Sequence, residues 1–206
     1  MRLTETAGDL ADRDPEGKRF VSVPLNDKPL AAVTRARVRD LRMHLVESLR
    51  ALRTMPHPRR SASPLRPEPD GAAGLVGRAA CALCRGSCCK GGGEHAYLDE
   101  RTMARVRFAR PDLEAGAIIG LYIARVPSTA YRDSCVFHGA EGCTLDRTLR
   151  SDVCNSYFCS GLGRFVTNPD APAGVVIVAS EGGRTRRSAT LHVASAPLRP
   201  TPEHHR

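Results

Sequence analysis

The sequence contains no tryptophan, and aromatic residues make up only 4% of its 206 positions. Leu, Ile, Val and Phe together account for about one-fifth of the chain, close to the level below which chains struggle to fold by apolar burial alone. These shortages exclude a large aromatic core and predict a thin one. We therefore expect a second source of stability besides hydrophobic packing.

Long apolar runs are also missing. No stretch of 18 or more apolar residues occurs, which excludes a membrane-spanning helix. The start, MRLTETAGDLADRDPEGKRF, holds no apolar segment of signal-peptide length, because acidic residues interrupt it throughout. We therefore expect a cytoplasmic protein, in which thiols stay reduced.

The formal net charge is +9, from 31 basic and 22 acidic residues. A basic chain invites a nucleic-acid interpretation, but here the arginines are scattered rather than gathered in one dense block. Several basic residues lie beside cysteines and could balance the negative charge of metal-bound thiolates: Arg85, Lys90, Arg147 and Arg150. Nucleic-acid binding is therefore disfavoured, and no membrane partner is expected.

Against these shortages stand eight cysteines in two groups. The first group is CALCRGSCC at 81–89, and the second lies between 135 and 159. Eight thiols in a reducing compartment indicate metal ligation or redox chemistry rather than a disulfide framework. The alternative is a secreted domain held together by disulfides.

The spacing of the first group suits a metal site. Cys81 and Cys84 form a Cys-x-x-Cys pair, which lets one turn wrap an ion with both sulfurs on the same side. Gly86 relieves the backbone, so that Cys88 can present a third sulfur to the same centre. Side chains of neighbours usually point apart, so Cys89 does not easily share a mononuclear ion with Cys88. Their adjacency therefore favours more than one metal ion.

The second group falls on two predicted elements. The segment CVFHGAEGC predicts a tight β-hairpin with its glycines in the turn, which would bring Cys135 and Cys143 close across the strands. Residues 147–159 are helical in pattern and carry Cys154 and Cys159 on neighbouring turns. We expect the two groups to converge and a metal to clamp them together, which would contribute folding energy directly.

Two kinds of metal centre fit sulfur donors in a reducing compartment. Zinc would need two sites of four cysteines each, or one site in which His95 or His138 serves as a ligand. An iron–sulfur cluster would need four thiolates and leave others free as redox or open-coordination ligands. The spacing does not choose between zinc and iron.

The chain as a whole predicts an α+β fold, mainly α-helical, in which metal organises a small cysteine-cluster domain with short β-hairpins and disordered termini. Apolar residues recurring every three to five positions predict the first long helix, and five prolines predict the linker after it. The segments are a disordered tail at 1–25, an amphipathic basic helix at 26–54, a proline-rich linker at 55–70, the cysteine-cluster domain at 71–165, a C-terminal β-hairpin packed on it at 166–195, and a tail at 196–206.

The helix at 26–54 has two interpretations. Its apolar face can pack on its own domain, or the helix can dock a protein partner or an acidic surface. Further along, the pattern predicts a short strand at 96–98 and a helix capped by Asp99.

The cysteine motifs together resemble a known family. The pattern C-x2-C-x3-C-C, followed by C…C-x-(I/L/Y) and R-P-x-x-C-x-x-(F/Y), is similar to the bacterial CxxCxxxCC cysteine-cluster family, described as zinc- or iron-chelating domains. The resemblance runs from Cys81 to about Leu162. It implies that seven cysteines bind metal: Cys81, Cys84, Cys88, Cys89, Cys135, Cys143 and Cys154. We add Cys159 to this set, although relatives carry various residues at its position.

Two positions depart from the family pattern. Ser151 stands where a proline commonly follows Arg150, and its loss is expected to loosen the local turn. Asn155 stands where an arginine is common, which leaves an anion-binding role there without support.

Three functions remain open at this point. The first is a metal-binding protein that uses zinc or iron. The second is an iron–sulfur-dependent enzyme or accessory factor in protein modification or redox chemistry, and its candidate chemical residues are His95, His138, Tyr131 and Tyr157. The third is a nucleic-acid adaptor that uses the basic helix. Some longer relatives resemble flagellin lysine methylases, but no Gly-rich loop follows a strand here to support methyl transfer.

Overall fold

The structure is a computed structural model that describes residues 18–56, 65, 67–167 and 174–192. The first seventeen residues of the predicted N-terminal tail lie outside the described residues. So do most of the proline-rich linker and the whole C-terminal tail, with His57, His204 and His205.

The described chain is an α+β fold, as the sequence predicted, and it alternates short helices with short strands. In chain order the elements are β1 (Arg19–Pro24), β2 (Leu30–Ala32), α1 (Arg35–Thr54), α2 (Gly71–Cys84), a 3₁₀-helix (Ser87–Gly92), α3 (Glu100–Ala109), α4 (Ala115–Ile123), β3 (Thr129–Tyr131), β4 (His138–Gly139), β5 (Gly142–Cys143), α5 (Asp152–Ser156), α6 (Ser160–Thr167), β6 (Gly174–Glu181) and β7 (Arg184–His192). None of these helices is long and apolar enough to cross a bilayer.

The elements fall into two compact units. The sheet unit comprises Met1–Val23, Pro69–Leu83 and Ser160–Arg206, and the cysteine unit comprises Pro24–Glu68 and Cys84–Cys159. Each is described below by itself.

A three-stranded sheet in the order β1-β6-β7 forms the sheet unit. The antiparallel pair β6–β7 confirms the predicted C-terminal hairpin, and its turn is Gly182–Gly183, both at positive φ. β1 contradicts the predicted disorder of residues 19–24. Val21 and Val23 are both buried, so this short segment has the period-two pattern of a strand.

The helices α1, α3 and α4 contribute buried side chains to the core of the cysteine unit. α1 turns Leu41, Leu45 and Leu49 inward at helical spacing, as its sequence predicted. They belong to a cluster of buried residues that also includes Leu98, Met103, Val106, Ile118, Ile119, Tyr122, Val136, Phe137, Leu145 and Leu149. This core is built from few aromatic side chains, as the composition required.

The beginning of α1 differs from the prediction. The helix starts at Arg35, after Thr34, whose hydroxyl accepts a hydrogen bond from Arg37 N. Residues 26–34 are not helical, because Leu30–Ala32 pairs as β2 with β3. That pairing offers backbone partners far along the chain, which the local pattern cannot reveal.

The segment after the first cysteines forms turns and a cap. Asp99 begins α3 by accepting hydrogen bonds from both the amide (2.8 Å) and the hydroxyl (2.6 Å) of Thr102, which confirms the predicted cap. The predicted strand at 96–98 is wrong. Ala96 and Tyr97 both have positive φ, which is incompatible with a strand, and the segment is a turn.

The predicted hairpin at 135–143 exists with a different register. β4 and β5 pair His138 with Cys143 and Gly139 with Gly142, so the glycines close the turn instead of forming it. Cys143 therefore lies opposite His138 and not opposite Cys135. The helix predicted over 147–159 is confined to α5, and Cys159 follows it.

Candidate functional site

Backbone hydrogen bonds join the two cysteine groups inside the cysteine unit. Cys135 N donates to the Cys89 carbonyl at 2.9 Å, and Val136 N donates to the Gly93 carbonyl at 2.9 Å. Gly92 lies against Cys135, since a Cβ on Gly92 would stand 2.8 Å from the cysteine Cβ. A glycine is needed here because any side chain would push the two segments apart.

The thiols of both groups are close enough to raise one another's pKa when one is ionised. The interacting pairs are Cys84 with Cys88, Cys84 with Cys159, Cys89 with Cys135, Cys89 with Cys143, Cys135 with Cys143, Cys154 with Cys143, Cys154 with Cys88, and Cys135 with Cys154. Seven cysteines therefore form one group, which we call the thiol cluster. Its members are Cys84, Cys88, Cys89, Cys135, Cys143, Cys154 and Cys159.

Cys81 is the eighth predicted ligand. It is exposed on α2, within the sheet unit. All eight cysteines are free thiols, with no disulfide among them.

Cys84 sits where α2 ends and the chain reverses. Arg85 and Gly86 both adopt positive φ, and Ser87 N then donates to Cys84 Sγ at 3.3 Å. Burial raises the pKa of the Cys84 thiol, while this amide opposes the rise because it favours the thiolate. The local turn thus prepares Cys84 as a sulfur donor.

Cys88 and Cys89 do not point apart, contrary to the prediction from their adjacency. Their side chains hydrogen-bond to each other within the 3₁₀-helix, which lowers the pKa of Cys88 to about 7 and raises that of Cys89. Cys88 is exposed, and Cys89 is partly buried. The pair therefore does not by itself demand two metal ions.

This asymmetry predicts a difference in thiol reactivity. In metal-free protein, Cys88 should react with iodoacetamide at a rate that rises with pH around a midpoint near 7, because only the thiolate is nucleophilic. Cys154 is also exposed, but burial of its sulfur raises its pKa, so its reaction should begin at higher pH. Peptide mass spectrometry after timed alkylation measures both sites, and equal pH profiles would contradict the assignment.

The second cysteine group is held by polar contacts of its own. Burial raises the pKa of Cys135 to about 12, while its own backbone neighbour Phe137 and the charge of Arg37 oppose the rise. Burial also raises the pKa of Cys154, and a hydrogen bond from the Ser151 side chain opposes this. Both sulfurs are thus neutral thiols at pH 7 until a cation favours the thiolate.

Two arginines position the loops that carry these cysteines, and the sequence analysis missed both roles. Arg37 donates to the Ser134 carbonyl and pairs with Glu94. It therefore joins the residue before Cys135 to the residue that follows the three glycines at 91–93. The sequence does not distinguish an arginine that turns inward from the exposed arginines of the same helix.

Arg105 is the second of these clamps. Its guanidinium is buried, pairs with Asp152 at 3.2 Å and donates to the carbonyls of Thr148 and Arg150. These acceptors all lie in the segment that leads to Cys154. Arg105 therefore fixes the approach of that cysteine to the cluster.

The two departures from the family pattern have structural roles. Ser151 is buried and caps α5 by accepting a hydrogen bond from Cys154 N at 3.1 Å, so the turn is held without a proline. Asn155 donates to the carbonyl of Arg147 at 2.9 Å, which stabilises the preceding turn. The expected loosening at 150–151 is therefore offset by the serine cap.

His138 is the most buried of the candidate histidines. It is 1% exposed, its Nδ1 lies 2.8 Å from Ser134 Oγ, and its ring packs against Tyr131 at 4.6 Å between centroids. Its Nε2 has no hydrogen-bond partner within the described part of the chain, and burial lowers the pKa of the ring to about 4. His138 is therefore a neutral imidazole with one free nitrogen. The Arg85 backbone opposes this shift of the pKa.

The remaining candidate residues are more exposed. His95 is exposed and its Nδ1 accepts from Tyr97 N at 3.0 Å, while Tyr157 is 55% exposed. Tyr97 was missed by the sequence analysis. Its phenol lies over Gly91, and burial followed by the charges of nearby cluster thiolates raises its pKa. His192 lies exposed on β7.

Among the described residues, no three His, Cys, Asp or Glu side chains are placed so that they could hold a metal ion. Comparison with known proteins also leaves the chain unassigned. No family model, curated protein or solved structure matches it. The resemblance to the cysteine-cluster family thus stays a prediction that rests on its motifs.

Proposed function

We propose that this protein binds zinc or iron through its thiol cluster and that the bound metal organises the cysteine unit. The observation that carries the proposal is the pair of backbone hydrogen bonds joining residues 89–93 to 135–136, which brings thiols from both sequence groups together. Soft sulfur donors in this number favour zinc or an iron–sulfur cluster over calcium or magnesium.

Three observations support such a group at the thiol cluster. The donor set is rich in thiols, and Ser87 N already donates to Cys84 Sγ, as amides do around metal-bound sulfur. The Nε2 atom of His138, buried beside the cluster, has no hydrogen-bond partner among the described residues. The glycine at 92 allows Cys135 to approach the first group.

The expected ligands come from the thiol cluster. Cys84, Cys88, Cys89, Cys135, Cys143 and Cys154 form its connected centre, and Cys159 interacts with Cys84 at one side. The role of Cys81 rests on its Cys-x-x-Cys spacing and on the family resemblance. Bound metal would supply folding free energy, and iron would in addition supply redox chemistry.

Bound metal would offset backbone strain in the segment that carries the first cysteines. Residues 85–98 contain only one 3₁₀-helix and turns, and five residues here have positive φ: Arg85, Gly86, Gly93, Ala96 and Tyr97. Left-handed conformations of non-glycine residues cost about 1–3 kcal/mol each. Metal–thiolate bonds would offset this strain. A reducing compartment such as the cytoplasm would keep the thiols available for it.

The test is the metal content of protein purified without oxygen. Wild-type protein should contain stoichiometric zinc or iron, and Cys84→Ser should lose most of it and unfold at lower denaturant concentration, because metal binding and folding are coupled. His192→Ala, at an exposed position of the sheet unit, is the matched control and should keep its metal. Substoichiometric metal in the wild type, or a full complement in Cys84→Ser, would refute the proposal.

An absorption spectrum of the same sample separates the two metals. Visible charge-transfer bands that bleach on reduction would assign an iron–sulfur centre and favour redox activity. A colourless protein with stoichiometric zinc would assign a structural role.

A further inference from the structure

His138 has a free ring nitrogen in a place where proteins rarely leave one. The side chain is 1% exposed, and none of the residues that the structure describes hydrogen-bonds to its Nε2. A buried polar group without a partner costs about 1–3 kcal/mol relative to a satisfied one. The chain tolerates this cost at a position directly opposite Cys143 in the β4–β5 pair.

The free nitrogen points at the first cysteine group. A Cβ built on Gly86 would lie 2.5 Å from His138 Nε2 and 3.3 Å from Cys89 Sγ. The nitrogen and this sulfur therefore border the same small space above Gly86. Gly86 has positive φ and no side chain, so that space stays open to both groups.

The other ring nitrogen of His138 is held by a hydroxyl group. The nitrogen of a metal-binding histidine that does not touch the metal is usually held by such a hydrogen-bonding partner. Nδ1 lies 2.8 Å from Ser134 Oγ, which fixes the ring plane. The roles of donor and acceptor in this bond depend on the tautomer. With Nδ1–H donating to Ser134, Nε2 carries a lone pair toward the cluster.

We propose that His138 Nε2 is a nitrogen ligand of the metal in the thiol cluster, so that the centre has mixed cysteine and histidine donors. This inference rests on the proposed metal-binding function. It also has an electrostatic advantage, because a neutral imidazole in place of a fourth thiolate leaves one less negative charge to be buried.

Direct spectroscopic detection of the metal–nitrogen bond tests the inference without any assay of activity. Wild-type protein labelled with ¹⁵N-histidine is loaded with ¹¹³Cd²⁺, a spin-active substitute for zinc, and is examined by NMR. The His138 Nε2 resonance should be split by one-bond coupling to cadmium, and its Nδ1 resonance should not. The nitrogens of His95, an exposed histidine in the same unit, should be unsplit and serve as the internal control.

The outcomes separate this inference from the proposed function. Stoichiometric cadmium with an unsplit His138 Nε2 would overturn the histidine ligand and leave the cysteine site standing. Failure of wild-type protein to bind cadmium, zinc or iron would overturn both.

Substitutions supply a second measurement. His138→Ala should weaken cadmium affinity more than about 100-fold, and Ser134→Ala should weaken it about tenfold, as expected for a ligand and for its orienting partner. His95→Gln should leave affinity unchanged. His138→Cys restores a donor and should recover binding with stronger sulfur-to-metal absorption. Equal affinity in wild type and folded His138→Ala would contradict the inference.

Discussion

Replacing Arg105 with methionine should destabilise the cysteine unit by about 2–4 kcal/mol, because it removes the hydrogen bonds of a buried guanidinium. The substitution leaves Asp152 and the carbonyls of Thr148 and Arg150 without their donor, and the thioether cannot replace it. Urea unfolding followed by circular dichroism measures the loss as a lower midpoint. The segment that carries Cys154 should also become accessible to protease at lower denaturant concentrations.

The matched control is Arg39→Met on the exposed side of α1. Arg39 pairs with Asp40 at 2.9 Å, but its side chain is 69% exposed, so water screens the interaction. Its loss should change stability by no more than about 0.5 kcal/mol. If the two variants unfold at the same urea concentration, Arg105 is not the clamp that its contacts indicate.

Gly86→Ala should cost about 2–4 kcal/mol. Part of the cost is the positive φ of this residue, and the larger part is the new Cβ, which would stand 2.5 Å from His138 Nε2 in a buried site. Gly142→Ala provides the control in the same unit. Gly142 also has positive φ, but a Cβ there meets no atom within 4 Å. Its cost should therefore be limited to the backbone term of about 1–3 kcal/mol.

A double mutant separates the steric clash from the backbone strain. His138→Ala removes the ring that the new methyl group would strike, so Gly86→Ala should cost less in that background than in the wild type. Thermal unfolding of the four proteins gives the coupling free energy. Strict additivity would mean that Gly86 and His138 do not share the space that the structure gives them.

The sequence predicted the locally determined features well. The apolar stripe of α1 and the Asp99 cap of α3 depend on residues within one or two turns of each other. The β6–β7 hairpin depends on a double glycine between two alternating runs. Such signals are readable because the interacting residues are neighbours in the chain.

Features that depend on distant residues were missed. β2 forms because Leu30–Ala32 finds Thr129–Tyr131, and nothing within residues 26–34 announces that partner. Arg37 and Arg105 turn inward because carbonyls from remote loops need donors, although their residue type is typical of the surface.

The candidate site was predictable in membership and not in arrangement. The spacing of the cysteines indicated that two groups meet, and the hydrogen bond from Cys135 N to the Cys89 carbonyl shows that the end of the first group contacts the start of the second. The register of β4–β5 and the mutual hydrogen bond of Cys88 and Cys89 follow from backbone turns instead. Spacing counts residues and does not give side-chain directions.

The hydrogen bond from Cys135 N to the Cys89 carbonyl joins two segments that the ribosome synthesises at different times. Ribosomes release about 5–20 residues per second, so Cys88 and Cys89 emerge on the order of several seconds before Cys154 exists. During that interval the early thiols have none of their later neighbours and are open to oxidants and to stray ions. The nascent chain therefore depends on the cell for protection of these thiols from oxidants and stray ions until translation is complete.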